Sequence, residues 1–275
     1  MNKNRLIKYE AFEIPQLNRH RDVYVYLPPC YETSSRRYPV IYMHDAKNLF
    51  EVEKSSFGSI WDVATKLDEL YANDSRYAFI VVGIDNDKTY RYDEYSPWYS
   101  EIGGQYLPHA RATGYLGGNG FLYLEFLATT LKTYIDNHYK TLVTPEMTGL
   151  MGSSMGGLIS LCGALEYPHV FGKVGALSSA LYFAQAKLEA YIKETPHAFV
   201  SKLYMDVGDN ESRESREDFP RVYVNSNVEI VSALRAIGYD DNYLRFEVIK
   251  GGTHTEASWN ARLNDVICYL FDELT

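Results

Sequence analysis

Short, nearly continuous apolar runs alternate along this chain with longer segments whose apolar residues recur every three or four positions. Val23–Leu27, Val40–His44 and Ala78–Ile84 read as strands, and their unbroken apolar character suits strands covered on both faces. Trp61–Leu70 places Trp61, Ala64, Leu67 and Leu70 on one helical face, and Phe121–Tyr139 does the same with Leu124, Leu127, Leu131 and Ile135. The alternation continues through strand Met147–Gly152, helix Met155–Tyr167, strand Lys173–Leu177 and a helix near Ala184–Lys193. Strand Lys202–Val207, helix Val224–Ile237, strand Leu244–Ile249 and helix Ala257–Leu270 follow. Strand and helix in turn predict an α/β fold, a mostly parallel sheet with helices on both faces.

No linker rich in Pro, Gly or Ser divides the chain, so residues 1–275 are expected to form one domain. Two stretches break the alternation. Residues 85–119 lack core-forming runs and carry Tyr90, Tyr92, Tyr95, Trp98, Tyr99, Tyr106 and Tyr115, which predicts a long aromatic-rich loop at an active site. Its Tyr90–Tyr106 part is expected to line an aromatic-rich cleft. Gly208–Pro220 is charged and predicts a solvated loop.

Composition narrows the function. At 46% hydrophobic and 23% charged residues the chain is neither disordered nor fibrous. A net charge of -9 repels phosphate backbones, which argues against nucleic acid or an anionic membrane as partner. The three cysteines (Cys30, Cys162, Cys268) are too few and too scattered for a disulfide framework or zinc site. The charged N-terminus has no apolar stretch of the signal-peptide kind, and the longest apolar run, Ala78–Gly83, is only a strand's length. A cytoplasmic protein is the expectation; the sequence leaves oligomeric state open.

The sharpest chemical signal is Gly152-Ser153-Ser154-Met155-Gly156, followed by Gly157. It matches the G-x-S-x-G nucleophile elbow, in which the serine sits on a tight strand-to-helix turn. A β run precedes it and a small-residue helix follows, as that turn requires. Hydrolases of this kind order serine, acid and histidine along the chain. Only His169, His197 and His254 follow Ser154. His169 lies at the far end of the elbow's helix and His197 in a connection. His254 directly follows the last strand, so the sheet edge that holds Ser154 can also hold it, as the base. Asp206, Asp209 and Glu211 are candidates for the acid. Asp206 lies inside a strand, where an unpaired carboxylate is costly to bury. Glu211 is preferred and Asp209 is the alternative. A second oxyanion donor is expected from the loop Asp45–Phe50.

Taken together these blocks resemble the putative esterase family of the α/β-hydrolase superfamily, of the esterase D, feruloyl esterase and enterobactin esterase type. The resemblance runs from about Val23 to Phe271. It rests on Tyr42-Met43-His44-Asp45 with Asn48-Leu49-Phe50, Gly83-Ile84-Asp85-Asn86, Arg91, Glu94-Tyr95-Ser96-Pro97-Trp98, the elbow, and Gly252-Thr253-His254 with Trp259. It implies an α/β-hydrolase fold and a metal-free serine hydrolase that cleaves a carboxylic ester through an acyl-enzyme. Carried over, Ser154 is the nucleophile, His254 the base and Glu211 the acid, with the backbone N–H groups of Met155 and Lys47 as oxyanion donors. Relatives often have Asp-Gly where this chain has Asp45-Ala46, so a positive φ required at that position would distort the loop. Trp98, Trp259 and Tyr95 are the candidates for substrate contact. The implied partner is a small-molecule ester, for example an acetylated or feruloylated sugar.

A siderophore esterase, an acyltransferase on the same site and a catalytically silent binding protein are the alternatives. No cofactor is expected: there is no His-x-x-x-His, and the Asp209–Asp218 carboxylates lack calcium-loop spacing. Gly117-Gly118-Asn119-Gly120 lacks the Gly-Lys-Ser/Thr ending of a phosphate cradle and reads as a flexible turn.

Overall fold

Among the described residues eight strands build one sheet: β1 (Leu6–Ile14), β2 (Arg19–Tyr26), β3 (Val40–His44), β4 (Ile80–Ile84), β5 (Thr148–Ser153), β6 (Lys173–Leu177), β7 (Lys202–Asn210) and β8 (Leu244–Thr253). Their spatial order is β1-β2-β4-β3-β5-β6-β7-β8. Pairs β1/β2 and β2/β4 are antiparallel, and every other pair is parallel. The computed structural model describes residues 5–52, 55, 58–100, 116–194, 201–211 and 218–274.

Successive side chains of a strand point to opposite faces, and the core divides accordingly. Val40, Tyr42, Leu150 and Val174 pack on one face, with α3 (Gly120–Glu125, a π-helical turn Phe126–Leu131, then Lys132–His138), α4 (Met155–Glu166), α5 (Gln185–Glu194) and α6 (Phe219–Ala236). Ile41, Met43, Met151 and Leu177 pack on the other, with α1 (Val63–Asn73) and α8 (Leu263–Leu270). Two short helices, α2 (Arg91–Glu94) and α7 (Glu256–Asn260), lie at the carboxyl edge of the sheet. Among the described residues no helix is long and apolar enough to cross a membrane.

The structure departs from the sequence expectations at several points. β1 was not anticipated because its alternation is interrupted: the β1/β2 register shifts between Tyr9 and Phe12, where Ala11 adopts φ 52°. The expected helix Ala257–Leu270 is broken in two, and Arg262 at the break turns inward. β7 and β8 run past Val207 and Ile249, so Gly208–Asn210 is strand rather than solvated loop. The rest of the charged segment divides between residues 212–217, which lie outside the described residues, and the start of α6, where Phe219 is buried. The Gly117–Gly120 turn is tied in place: Gly117 N–H donates to Asp93 Oδ1 (3.1 Å), and Gly118 and Gly120 N–H groups donate to the Ser96 carbonyl (2.9 and 3.0 Å).

Two buried polar groups brace the carboxyl edge of the sheet. Asp206 in β7 is fully buried and receives Arg262 Nε and Nη2 at 2.6 and 2.9 Å. Burial pushes its carboxyl above the ordinary value while Arg262 pulls it down. Replacing Arg262 by Leu leaves that carboxylate unpaired, so we expect a loss of about 3–5 kcal/mol in unfolding free energy, measured by denaturant titration.

His44 ends β3 between the rings of Tyr95 and Tyr123, with Nδ1 3.0 Å from Tyr123 Oη. Burial pushes its pKa down to about 4. An unfolded histidine titrates near 6.5, so between those values the unfolded chain binds a proton that the native state refuses. This contribution is complete above about pH 6.5 and is lost as pH falls towards 4, roughly 3 kcal/mol in all. Unfolding free energy measured from pH 7 to 4.5 should fall, and His44→Gln should flatten that slope.

Candidate active site

The elbow forms where β5 hands over to α4. Ser154 alone separates them, at φ 59° and ψ −123°, a conformation a non-glycine residue adopts only when its surroundings hold it there. Four backbone hydrogen bonds do so. Ser154 N–H donates to Leu177 O (3.0 Å), and its carbonyl accepts from Gly157 (3.1 Å), Leu158 (3.1 Å) and Ala180 (3.0 Å). Glycine is required where the turn closes on itself: a Cβ on Gly152 would lie 2.8 Å from Gly156 C and O. Gly157, outside the five-residue pattern, is tighter still, since a Cβ there would lie 2.3 Å from Ser179 Oγ.

Glu211 and His254 are brought together by strand register. β7 and β8 pair through Asn210 and Thr253, and Glu211 and His254 immediately follow those strand ends. Glu211 Oε2 and His254 Nδ1 lie 2.7 Å apart, and Glu211 Oε1 accepts the Gly208 N–H at 2.6 Å. Glu211 is 0% exposed. Burial raises its pKa, but the hydrogen bond and charge of His254, with help from Ser178 and Gly208, hold the carboxyl below its usual value. Asp209 is exposed and accepts the Gly251 N–H at 2.6 Å, which makes it a clasp between the two strand ends.

Ser154 and His254 are each 8% exposed. Tyr223 of α6 touches both: its hydroxyl is 3.5 Å from Ser154 Oγ and its ring centroid 5.0 Å from that of His254. Ser154 and His254 therefore lie against one aromatic side chain. Sequence reasoning missed Tyr223. Its only signal was the Phe219/Tyr223 pair at helical spacing, which packs on Tyr182.

The expected oxyanion loop begins at Asp45, which takes φ 59°; the 3-10 turn Ala46–Asn48 follows. The left-handed residue is Asp45, so Ala46 needs no glycine and its methyl is buried. The N–H groups of Met155, at the start of α4, and of Lys47 donate to no backbone carbonyl among the described residues. Arg91 Nε and Nη2 grip Asp45 Oδ1 and Oδ2 at 2.8 and 2.6 Å, and Asn86 Nδ2 adds a third bond to Oδ1 at 2.6 Å.

The candidate substrate residues are placed differently from one another. Tyr95 is fully buried under this loop, its hydroxyl accepting the Asp45 N–H at 3.3 Å. Trp259 is buried edge-on to His254, with centroids 5.1 Å apart, and donates from Nε1 to Ser178 Oγ at 2.8 Å. Trp98 is half-buried against Phe121 and Tyr191. Tyr90 stacks under Arg19 and Tyr92 on Phe183, so the described aromatic residues of this segment mostly pack inward. Tyr99, 64% exposed, is the exception; with Phe183, Gln185 and Lys187 it lines a surface cleft of about 490 Å³. Tyr106, Tyr115 and His197 lie outside the described residues, and His169 is exposed. Among the described residues no three His, Cys, Asp or Glu side chains gather as a metal site would need.

Comparison with known proteins fits this architecture. The chain is 27% identical over 230 residues to the uncharacterized protein YbbA of Bacillus subtilis (strain 168), covering 84% of each. It superposes on an IroE-like serine hydrolase from Shewanella oneidensis with a TM-score of 0.73 at 22% identity, covering 98% of this chain and 80% of that one. A ferulic acid esterase superposes with a TM-score of 0.71 at 18% identity, covering 97% and 98%. Those two likenesses establish the α/β-hydrolase fold. The family model described as Putative esterase matches residues 14–270, and the chain belongs to that family.

Proposed function

We propose that this protein is a serine carboxylesterase working through Ser154, His254 and Glu211. The observation that carries the reading is the Glu211–His254 hydrogen bond beside an elbow serine held at positive φ. Glu211 accepts from His254 Nδ1, which leaves Nε2 as the basic nitrogen and orients the ring. His254 then removes the Ser154 proton as Oγ attacks the ester carbonyl. The tetrahedral oxyanion is met by the Met155 and Lys47 N–H groups. Collapse expels the alcohol, which takes the proton from His254, and leaves an acyl-serine. Water, deprotonated by His254, releases the acid and restores the hydroxyl.

The ferulic acid esterase of the same fold makes feruloyl esters a first series to assay, beside acetyl sugars and p-nitrophenyl acetate. A fluorophosphonate probe should label Ser154, located by peptide mass spectrometry. Ser154→Ala should abolish labelling and lower ester turnover by about three to six orders of magnitude. Unlabelled, folded wild-type protein with no ester turnover would favour a binding role on the same fold.

The acid is tested separately. Glu211→Gln should lower kcat by roughly 10²- to 10⁴-fold, because the His254 ring loses its charged anchor. Asp209→Asn should change kcat less than about threefold, the usual reach of an exposed residue. The reverse ranking would make Asp209 the acid.

A further inference from the structure

We infer that the segment Asp85–Tyr95 positions the oxyanion loop, and that Arg91 is its principal positioning residue. The proposal rests on the esterase reading and assigns this segment a task other than substrate contact. Asp45 must hold a left-handed backbone for the chain to turn from β3 into Ala46–Asn48 and present the Lys47 N–H. Three side chains of one short segment fix it from three sides. Arg91 binds both carboxylate oxygens, Asn86 binds Oδ1, and the Tyr95 hydroxyl accepts the Asp45 N–H. A fourth contact holds the donor residue itself: Lys47 Nζ pairs with Asp85 Oδ2 at 2.7 Å.

The clamp is specific to arginine. A guanidinium can satisfy two carboxylate oxygens in one plane, whereas a lysine ammonium holds a single point. Arg91 also lies over the Tyr95 ring, 5.1 Å from its centroid, so the cation orders the residue that receives the Asp45 N–H. Burial opposes the Arg91 charge, but Asp45 more than restores it and keeps the guanidinium protonated. The Asp45 carboxyl, which burial alone would raise, is held low by the same pair. Backbone donors act on an oxyanion only if they already stand where it will form, so loosening Asp45 weakens the transition state and leaves substrate binding intact.

Arg91→Lys and Asn86→Ala, the second touching only one bond of the clamp, are compared with wild type in ester turnover. Circular dichroism and melting temperature confirm folding. Removing an oxyanion donor outright costs about 10²- to 10³-fold in kcat, so a displaced donor should cost on the order of 10- to 100-fold in Arg91→Lys and less in Asn86→Ala. KM should stay within about threefold. Affinity for a trifluoromethyl ketone, whose serine adduct carries the oxyanion, should fall in parallel with kcat. A purely structural role would not link those two losses. A folded Arg91→Lys with kcat within twofold of wild type overturns the proposal, as does a loss confined to KM. If Arg91→Lys does not fold, Asn86→Ala decides by the same criteria. A wild-type protein with no Ser154-dependent turnover removes the esterase reading itself, a result distinct from either.

Discussion

Three neighbouring strands leave the sheet through non-glycine residues with left-handed φ, and the site depends on how each is held. Asp45 after β3, Ser154 after β5 and Ser178 after β6 take φ 59°, 59° and 42°. Such residues cost of order 1–3 kcal/mol apiece and persist only where the surroundings over-determine them. Each here has its own set of restraints. Asp45 is held by Arg91, Asn86 and Tyr95, and Ser154 by Leu177, Gly157, Leu158 and Ala180. Ser178 donates its N–H to Asp206 O and Oδ1 at 2.9 and 3.0 Å, while its hydroxyl accepts from Trp259. Strain is thus gathered on one edge, where parallel strands end and where a reacting carbonyl can be approached from several loops at once.

These restraints are linked through the sheet. Ser154 leans on the end of β6, because its N–H bonds to Leu177 O and its carbonyl to Ala180 N–H. The end of β6 leans on Asp206 of β7 through Ser178, and Asp206 is fixed by Arg262. The Asp206–Arg262 pair secures the ledge on which Ser154 turns. A buried ion pair is weak evidence for stability by itself. Its value here lies in geometry: it places two acceptors and five donors at the junction of β7, the Ser178 turn and the break between α7 and α8.

Much of this was legible in the sequence where one local rule decided the outcome. β3 and β6 match their apolar runs residue for residue, and the elbow lies at the predicted β-to-α junction. The failures came where a distant partner decided. Sequence alone argues against Asp206 as the acid because an unpaired carboxylate is costly to bury, and the pairing that permits its burial was not legible, because its arginine lies 56 residues later. Tyr95, in an aromatic-rich stretch, read as a ligand contact, but its hydroxyl is engaged by the Asp45 backbone. The concern over Ala46 was displaced by one position, since the chain makes its left-handed turn at Asp45. Edge strand β1 was hidden because a bulge at Ala11 shifts its alternation, and period-two patterns report a strand only while register holds.

The electrostatics of the Asp45–Asn48 loop follow from the same pairing. Among the described residues two cations stand near the loop, yet Arg91 is matched by Asp45 and Lys47 by Asp85, so neither would offer an unbalanced charge to the oxyanion of the proposed reaction. An uncompensated cation would bind product carboxylate as well as the tetrahedral intermediate, and so slow release of the acid. Backbone N–H groups discriminate better, because their fixed positions favour the displaced oxygen of the tetrahedral state over the planar carbonyl. The positive end of α4 points the same way and adds only partial charge. On the proposed esterase reading, the ion pairs contribute rigidity, and the N–H dipoles they immobilise would contribute the selectivity between ground state and transition state.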